Sequence, residues 1–417
     1  MTTPALVEHF FRHEYGRLVA TLSRRVGVQY IEAIEDAVQS ALMSALERWT
    51  YSKVPDNPSA WLYRVASNQL LGELRQRSGH RRILEKSGEQ VLPAPKAPVD
   101  PLLGGDLQDD LLRMLFVLCD DMLPIESQLV FALKILCGFS IREISLRLFT
   151  SEANVYKRFS RARNRLRALP GLPEAFTHAQ YTSRLPSVNK VLYLLFTEGY
   201  LSSHATQAIR QELCQEAIRL TSLLAEHPAG QHPETFALLA LMYLHKARMA
   251  SRQDGAGGLL FLEEQDRSLW NAYDIQKGLT WLANASQGDH FSRYHAEAGI
   301  AAEHCLSPSF QETCWERVAE NYALLESIAP SAIHRLNRAV AVAEWKGPKA
   351  GLALLEDFAP PTWLTGSYMW SAIMADLHKR CGHIQKAKRF KEVALQSAPS
   401  PVIRTLLQRR LENKTIN

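Results

Sequence analysis

The sequence predicts an all-α protein. Apolar residues recur at every third or fourth position through nearly the whole chain, which is the period of an amphipathic helix. No segment sustains the alternation of apolar and polar residues that is typical of a strand, and no Asn-Gly pair indicates a hairpin. With 417 residues, the chain is long enough for two to three domains.

Composition and charge place the chain among ordinary globular proteins. It is 46% hydrophobic and 22% charged, which is enough apolar material to build real cores. The net charge is only +5, but residues 1–170 hold 23 Lys or Arg against 19 Asp or Glu, and much of that surplus lies in two short runs. Such clustering indicates local contact with a polyanion rather than a generally basic protein.

Cysteine usage and the N-terminus indicate where the chain works. The six Cys are scattered and form no Cys-x-x-Cys pair, so we expect small buried side chains in a reducing cytoplasm. Charges come too early for a signal peptide, and no run of about 18 apolar residues predicts a membrane span.

Three helices are expected within residues 1–85. The first covers 5–27 and the second covers 31–49, whose apolar stripe has seven members: Ile34, Val38, Ala41, Leu42, Ala45, Leu46 and Trp49. The third starts at Pro58 with Asn57 as its N-cap. The next segment, 86–108, holds four Pro with several Gly and Asp, and this composition predicts a linker.

A second compact unit is expected at 109–170, and it contains a helix-turn-helix pattern. Ser140 and Glu143 form a capping-box sequence before a short helix, whose predicted apolar side is Ile141, Ile144, Leu146 and Leu148. After a break at Leu-Phe-Thr, Ser151 is the expected N-cap of a longer helix. One face of that helix carries Val155, Phe159, Ala162 and Leu166.

Residues 138–167 hold eight Lys or Arg against two Glu. A helix with this charge repels itself, and a phosphate backbone relieves the repulsion with release of counterions. Ser151, Asn154 and Lys157 would then face base edges, and the later Arg residues would bind phosphates. The alternative is a solvated Arg-rich helix that binds RNA, acidic lipid or protein.

A second basic run ends the third helix, with Arg75, Arg77, Arg81 and Arg82. The same helix carries aromatic, amide and Arg side chains that suit unstacked single-stranded bases: Trp61, Tyr63, Arg64, Asn68 and Gln69. The simpler alternative is that cations are favoured at any helix C-terminus, with Trp61 in the core.

Residues 6–170 resemble the extracytoplasmic-function sigma factors, small members of the sigma-70 family of bacterial RNA polymerase subunits. "IEDAVQSALMSALERW" is similar to that family's core-binding helix, "NPSAWLYRVASNQLLGELRQR" to its minus-10-reading helix, and the segment from "LPIESQ" to "RARNRLR" to its minus-35 module. The resemblance implies a sigma region 2 at 1–85 and a region 4 at 109–170. Tyr156 and Phe159 are bulkier than is usual in the family, so the promoter sequence is not implied.

The resemblance also implies roles for individual residues. Asp36, Gln39 and Leu42 would dock on the clamp helices of the polymerase β′ subunit, and region 4 would contact the β flap. DNA contacts would fall on two sets of residues: Arg64, Asn68, Arg75 and Arg77 for the minus-10 strand, and Ser151, Asn154, Lys157, Arg158 and Arg161 for the minus-35 duplex. The resemblance implies no catalytic residue, no metal and no cofactor, and a bacterial cytoplasmic location, on the nucleoid when active.

Residues 180–417 are similar to the long C-terminal extension of one subgroup of that family, which carries tetratricopeptide-like repeats. We expect an all-α, repeat-like regulatory domain that a protein or small ligand could control. Its net charge of +1 over 171–417 argues against simple charge masking of the basic helices.

Two other functional readings stay open from the sequence. The chain could be a helix-turn-helix regulator with a C-terminal sensor domain, or the extension could be an enzyme tethered to DNA. Acids cluster at 254–274, namely Asp254, Glu263, Glu264, Asp266 and Asp274, but they fit a loop and helix starts better than a metal or catalytic site.

Overall fold

The computed structural model describes residues 3–51, 54–85, 109–168, 176–202, 209–255, 258–356 and 358–412; in the first two ranges it describes side chains only for 14–49 and 54–76, and in the last only to 411. Within these residues the chain is helical, with no strand and one isolated bridge between Gln253 and Leu259, so the all-α prediction is confirmed. The predicted linker at 86–108 lies outside the described residues. No helix that the structure describes is long and apolar enough to span a membrane.

The chain divides into two compact units, Met1–Val191 and Leu192–Asn417. The division falls inside the helix His178–Tyr200. The predicted start of the extension, residue 180, lies near the beginning of the same helix. Unit 1 contains α1 (Thr3–Val26), α2 (Ile31–Tyr51), α3 (Pro58–Glu85), α4 (Asp110–Leu118), α5 (Ile125–Ile135), α6 (Ile141–Arg147), α7 (Glu152–Arg167) and the first half of α8 (His178–Tyr200).

The first three helices follow the predicted pattern. The N–H of Ala60 donates to Asn57 Oδ1 at 3.0 Å, which confirms Asn57 as the N-cap of α3. The core of these helices is built from apolar residues at helical spacing on facing sides: Leu18, Leu22, Ile34, Val38, Ala41, Leu62, Ala66 and Leu70.

Helix α4 is buried along its whole length. Asp109 caps it by accepting from the N–H groups of Leu111 and Leu112, both at 3.0 Å. Every residue from Leu111 to Leu118 is buried, because α1 and α5 pack against α4 and the rings of Phe176 and Tyr181 cover Phe116. A helix that carries apolar side chains on every face must be enclosed in this way.

The helix-turn-helix forms as its caps predict. The Glu143 N–H donates to Ser140 Oγ at 3.2 Å, and the Ser140 N–H donates to the Glu143 carboxylate at 2.7 Å. The turn places Phe149 in the left-handed region at φ 49°. The prediction that Leu146 lies on the apolar side is wrong, since its side chain is 49% exposed. It follows buried Ile144 by two residues, about 200° around a helix, so the two cannot share a face.

Unit 2 is a succession of helices that pack on their neighbours in sequence. After the second half of α8 come α9 (Gln211–Glu226), α10 (Pro233–Ala247), α11 (Ala272–Ala285), α12 (Arg293–Leu306), α13 (Trp315–Ile328), α14 (Ala332–Lys346), α15 (Pro348–Glu356), α16 (Thr362–Thr365), α17 (Tyr368–Arg380), α18 (Ile384–Gln396) and α19 (Pro401–Glu412). In α17 and α18 the small residues Ala375, Ala387 and Ala394 are buried, at spacings close to those of a tetratricopeptide repeat. Repeat identity stays a prediction.

The segment Leu194–Tyr200 is a packing element of unit 2. Glu198 is 0% exposed; it accepts from Ser202 Oγ at 2.8 Å and lies 3.7 Å from the guanidinium of Arg210. A Cβ on Gly199 would stand 2.7 Å from Arg210 O, so only glycine permits this approach of the chain before α9. The acid and the glycine therefore have a structural explanation within the unit.

Candidate polymerase and DNA interface

One exposed stripe of α2 carries the residues that the sequence assigned to polymerase binding. Asp36 and Gln39 are exposed, and Leu42 beside them is half-buried. Steps of three and four residues continue the stripe to Met43, 57% exposed, and Leu46, 40% exposed. The sequence had placed Leu46 in the buried stripe, which is wrong, and had not singled out Met43. The spacing of three and four residues from Asp36 through Gln39 places both Met43 and Leu46 on the exposed side of α2.

A buried acid lies next to this stripe. Tyr15 donates its hydroxyl hydrogen to Glu35 Oε1 at 3.0 Å, and Gln39 makes a side-chain hydrogen bond with the same phenol. Burial raises the pKa of Glu35 above its ordinary value, although the Tyr15 hydrogen bond and the charges of Lys134 and Arg163 act in the opposite direction. The position of Gln39 is thus tied to a desolvated Tyr–Glu pair.

Helix α3 presents the predicted minus-10 residues on one face. Arg64, Asn68 and Arg75 are exposed, and their spacings of four and seven residues place them within about 40° of one another around the helix. The side chain of Arg77 lies outside the described residues. On a neighbouring side of α3, Arg25 donates to Tyr63 Oη at 3.2 Å and to Ser67 Oγ at 3.1 Å.

Trp61 is half-buried and does not project as an isolated ring. Its ring centroid lies 5.5 Å from that of Trp49, with the two planes tilted by 56°. This contact ties the start of α3 to the end of α2, as expected for the reading of Trp61 as a core residue.

Helix α7 exposes the predicted minus-35 residues. Ser151, Asn154, Lys157 and Arg161 are exposed, whereas Arg158 is half-buried. The Ser151 hydroxyl oxygen already accepts the Asn154 N–H at 3.3 Å, but its own hydrogen stays available as a donor. Tyr156 is 58% exposed beside these residues. The Ser151 cap thus fixes the start of α7, whose first turns are polar and exposed. The apolar face of α7 is buried through Val155, Ala162 and Leu166.

The last turns of α7 differ from the sequence expectation that all their Arg residues are available for phosphates. Arg163 Nε lies 3.0 Å from Glu32 Oε1 on α2, and Arg167 pairs with the other oxygen of the same carboxylate. Arg163 also lies over the ring of Phe159, with 5.7 Å between its Cζ and the ring centroid. One carboxylate therefore engages two of the arginines.

The acidic cluster of unit 2 is paired with cations. On α19, Arg409 lies 3.0 Å from Glu264 and 3.8 Å from Asp254, and Arg410 pairs with Glu263. Asp274 accepts from Lys246 at 2.7 Å, and Asp266 caps a short 3₁₀ turn. No group of three or more His, Cys, Asp or Glu is placed to hold a metal in the part of the chain that the structure describes.

Two arginines of unit 2, Arg252 and Arg267, bind the carboxyl ends of helices. Arg252 donates to the carbonyl of Tyr200, where α8 ends, and Arg267 donates to the carbonyls of His304 and Ser307, where α12 ends. A cation at this end of a helix offsets its dipole. Burial and the neighbouring Arg charges lower the pKa of His304 to about 3, so this histidine is neutral. These arginines and His304 therefore stabilise the packing of helices within unit 2.

Comparison with known proteins identifies the families to which these regions of the chain are similar. Residues 11–80 match the family described as sigma-70 region 2, and residues 113–166 match sigma-70 region 4. Residues 184–286 match a family of unknown function (DUF6596). The chain is 33% identical over 371 residues to an uncharacterized protein of Rhizobium meliloti (strain 1021), covering 88% of this chain and 86% of that protein. No solved structure matches the chain.

The buried acid generates a pH-dependent prediction. Because the folded protein binds the Glu35 proton more tightly than the unfolded chain does, the ionised carboxylate lowers stability at neutral pH, and this loss disappears below the ordinary carboxyl pKa of about 4.3. Glu35→Gln should raise the Tm at pH 7.5 and give no gain near pH 4. Calorimetry of both proteins across this range is the measurement. Glu47→Gln, at an exposed position of α2, is the control; an equal gain there would contradict the prediction.

Proposed function

This chain belongs to the sigma-70 family as an extracytoplasmic-function-type sigma factor with a long C-terminal extension, and from that membership we propose which of its surfaces bind core RNA polymerase and which read promoter DNA. It directs the polymerase to specific promoters. In this proposal the polymerase carries out all the chemistry, and the chain supplies no catalytic residue and no cofactor.

The α2 stripe is the proposed polymerase contact. It combines the carboxylate of Asp36 and the amide of Gln39 with the exposed side chains of Met43 and Leu46 and the flank of Leu42. An apolar centre with a polar rim is the usual composition of a protein interface. The resemblance assigns the clamp helices of β′ as the partner of this stripe and the β flap as the partner of region 4.

The DNA contacts are proposed on α3 and α7. Arg64, Asn68 and Arg75, with Arg77 by resemblance, would hold the melted minus-10 strand, because exposed cations and amides on one face suit both phosphates and unpaired bases. On α7, Ser151 and Asn154 lie in the first turn, with Lys157 one turn on, where a recognition helix meets base edges. Arg158 and Arg161 follow as phosphate contacts.

The extension is proposed to regulate this activity, through a protein or small-ligand partner. The first half of α8 belongs to unit 1: Arg184 donates to Phe116 O at 2.9 Å and lies 3.5 Å from Asp120, and Ser183 donates to Asp121 at 2.8 Å. Residues beyond 170 therefore complete the packing around α4. A conformational change in the extension would reach region 4 through α8, because this helix is shared by both units of the chain.

The observation that carries the proposal is the exposed α2 stripe, which an ordinary helix-turn-helix regulator would not need. Wild-type protein should retain purified core RNA polymerase in a pull-down, and Asp36→Arg combined with Gln39→Ala should lose it at least tenfold, because a charge of the wrong sign enters the interface centre. Glu392→Arg with Gln396→Ala, on exposed α18, is the matched control. Equal retention by both variants would favour the regulator with a sensor domain.

The recognition helix gives a second prediction. Arg161→Ala should weaken binding of polymerase holoenzyme to every minus-35 sequence alike and reduce the slope of log affinity against log salt by about 0.9, because one phosphate contact is lost. Asn154→Ala should instead change affinity at one base pair by about 1–3 kcal/mol. Filter binding over a salt series is the measurement. Arg389→Ala on α18 removes an equal charge as control, and an identical slope change there would argue against the assignment.

Truncation tests the extension. A chain that ends at Val191 keeps Arg184 and Tyr181 against α4, so it should hold the minus-35 duplex while its promoter-specific transcription departs from that of the full chain. A chain that ends at Gln180 loses those contacts and should bind the duplex more weakly and unfold at a lower temperature. Run-off transcription and duplex binding by all three chains are the measurements. Unchanged transcription by the Val191 form would refute regulation by the extension.

A further inference from the structure

Unit 2 encloses three arginines that have no carboxylate partner. Arg248 and Arg252 follow the end of α10 and are 7% and 9% exposed, and Arg267 is half-buried at the start of a 3₁₀ turn. Within the described residues no Asp or Glu forms an ion pair with any of the three. Other arginines of this unit lie 2.6 or 2.7 Å from a Glu oxygen, namely Arg219, Arg293 and Arg380.

The three guanidinium groups lie close together. The Cζ atoms of Arg248 and Arg267 lie 5.1 and 4.5 Å from the ring centroid of Trp270. The charges of both arginines act on His304, so both face the end of α12. The Arg248 charge also acts on Arg252 and on Arg267, so Arg248 is the centre of the group. We call Arg248, Arg252, Arg267 and His304 the cationic cluster.

Most hydrogen-bond donors of the cationic cluster have no acceptor among the described residues. Arg248 donates to Gln265 Oε1 at 3.3 Å, and Arg252 donates to the carbonyl of Tyr200. Arg267 uses one nitrogen for both of the carbonyls that it binds at the end of α12. A guanidinium has five N–H donors, so these contacts satisfy a minority of them. The buried atoms without a partner include Arg248 Nε, Arg267 Nη2 and His304 Nδ1.

Helix packing alone does not account for this arrangement. A carbonyl at the end of a helix carries only a partial negative charge, so it accepts a hydrogen bond without neutralising a cation. Exposed Glu312 acts on Arg267 through its charge but forms no ion pair with it. A buried charge without a counter-ion is strongly unfavourable, and like charges at short range add to the cost. Proteins retain such local conflicts mainly at functional sites.

We propose that the cationic cluster of unit 2 binds a small phosphate-class oxyanion, either inorganic phosphate or the phosphate group of a monoester. A planar guanidinium presents paired N–H donors that match two phosphate oxygens. The neutral imidazole of His304 can donate from Nδ1 in one of its tautomers. A bound phosphate would supply the negative charge that the surrounding side chains lack.

Aromatic rings hold the guanidinium groups in place for this role. Arg252 lies over the ring of Tyr200, with 3.6 Å between its Cζ and the ring centroid, and Arg248 and Arg267 lie over Trp270. The Trp270 Nε1–H donates to Ser251 Oγ at 2.7 Å, which fixes the ring. The donors are therefore positioned before any anion binds, which lowers the entropic cost of binding.

Burial restricts the site to a small ligand. Arg248 and Arg252 lie below the surface, so a duplex cannot reach them, in contrast to exposed Arg161 of α7. Half-buried Arg267 is the more accessible member of the cluster. The inference gives a chemical class to the small-ligand partner of the extension, and in that respect it rests on the proposed function.

Hydrogen–deuterium exchange of the full chain with inorganic phosphate tests the proposal, because the method locates the bound anion. Exchange is followed in peptides that cover residues 244–252 and 300–307, at an ionic strength held constant with sodium chloride. Calorimetric titration gives the Kd for inorganic phosphate and, separately, for glycerol 3-phosphate. Arg248→Met removes the central charge and keeps an unbranched side chain against Trp270. Arg317→Gln, whose side chain is 67% exposed, is the matched control.

Phosphate should slow exchange in both peptides of the wild-type chain at least fivefold, and chloride alone should not. The R248M variant should bind phosphate at least tenfold more weakly, and without phosphate it should melt no lower than wild type, because an unpaired buried charge is gone. The R317Q control should bind as wild type does. If R248M does not fold, R267Q at the half-buried position carries the same tenfold expectation. Tighter binding of glycerol 3-phosphate than of inorganic phosphate would identify a phosphate monoester as the ligand, and the reverse order would identify free phosphate.

Two results would overturn the anion site: equal phosphate affinity in the wild type and the cluster variants, or unchanged exchange in both wild-type peptides. Run-off transcription with and without phosphate then tests its regulatory use. Unchanged transcription with the site occupied would refute that use and leave the anion site standing. Failure of the chain to retain core polymerase would refute the proposed function, again without affecting the anion site.

Discussion

The burial of α4 on every side is the constraint on which unit 1 depends. This nine-residue helix is buried from Leu111 to Leu118, and seven of those eight residues are apolar. Helix α1 covers one side, α5 a second, and the aromatic and Arg side chains before and within α8 a third. Each of these helices belongs to a different segment of the chain. Burial of α4 therefore brings region 2, region 4 and the start of the extension into contact around one short helix.

The polar groups around α4 are consistent with this role. Arg113 and Tyr181 are both buried, and this burial lowers the pKa of the Arg113 guanidinium and raises the pKa of the Tyr181 hydroxyl. Burial likewise raises the pKa of the Cys119 thiol to about 12, which keeps it protonated and unreactive. Arg184 brings charge into this region and is held by a backbone carbonyl and Asp120 together, which is how proteins tolerate a buried cation.

Local signals in the sequence were sufficient for the fold class and for the helix-turn-helix. Ser140 with Glu143, Ser151 and Asn57 act within three residues of themselves, and the structure has all of these caps. The sequence located the Asp36 stripe and the reading end of α7, but their roles in binding stay predictions. Leu46 was misplaced because it lies at the edge of its apolar stripe, and Leu146 was misplaced because it lies about 200° around α6 from buried Ile144 and so breaks the helical period.

What the sequence could not supply was pairing over long separations. Glu32 meets Arg163 across more than a hundred residues, and Glu264 meets Arg409 across a similar distance, so neither partner marks the other in the sequence. The charge pattern of a sequence indicates that an acidic side chain needs a cationic partner, but only the packing of the helices determines which Lys or Arg that partner is.

The shared helix α8 also bears on how genes for such factors can be recombined. A crossover at residue 170, where the sequence motifs of region 4 end, would separate Phe116 from Tyr181 and Asp120 from Arg184. A chimera joined there inherits an incomplete interior whichever extension it receives, whereas one joined after Val191 carries its own. The segment that must be exchanged is thus longer than the segment that reads DNA, and an interchangeable promoter-reading cassette from this chain would have to include the first half of α8, to Val191.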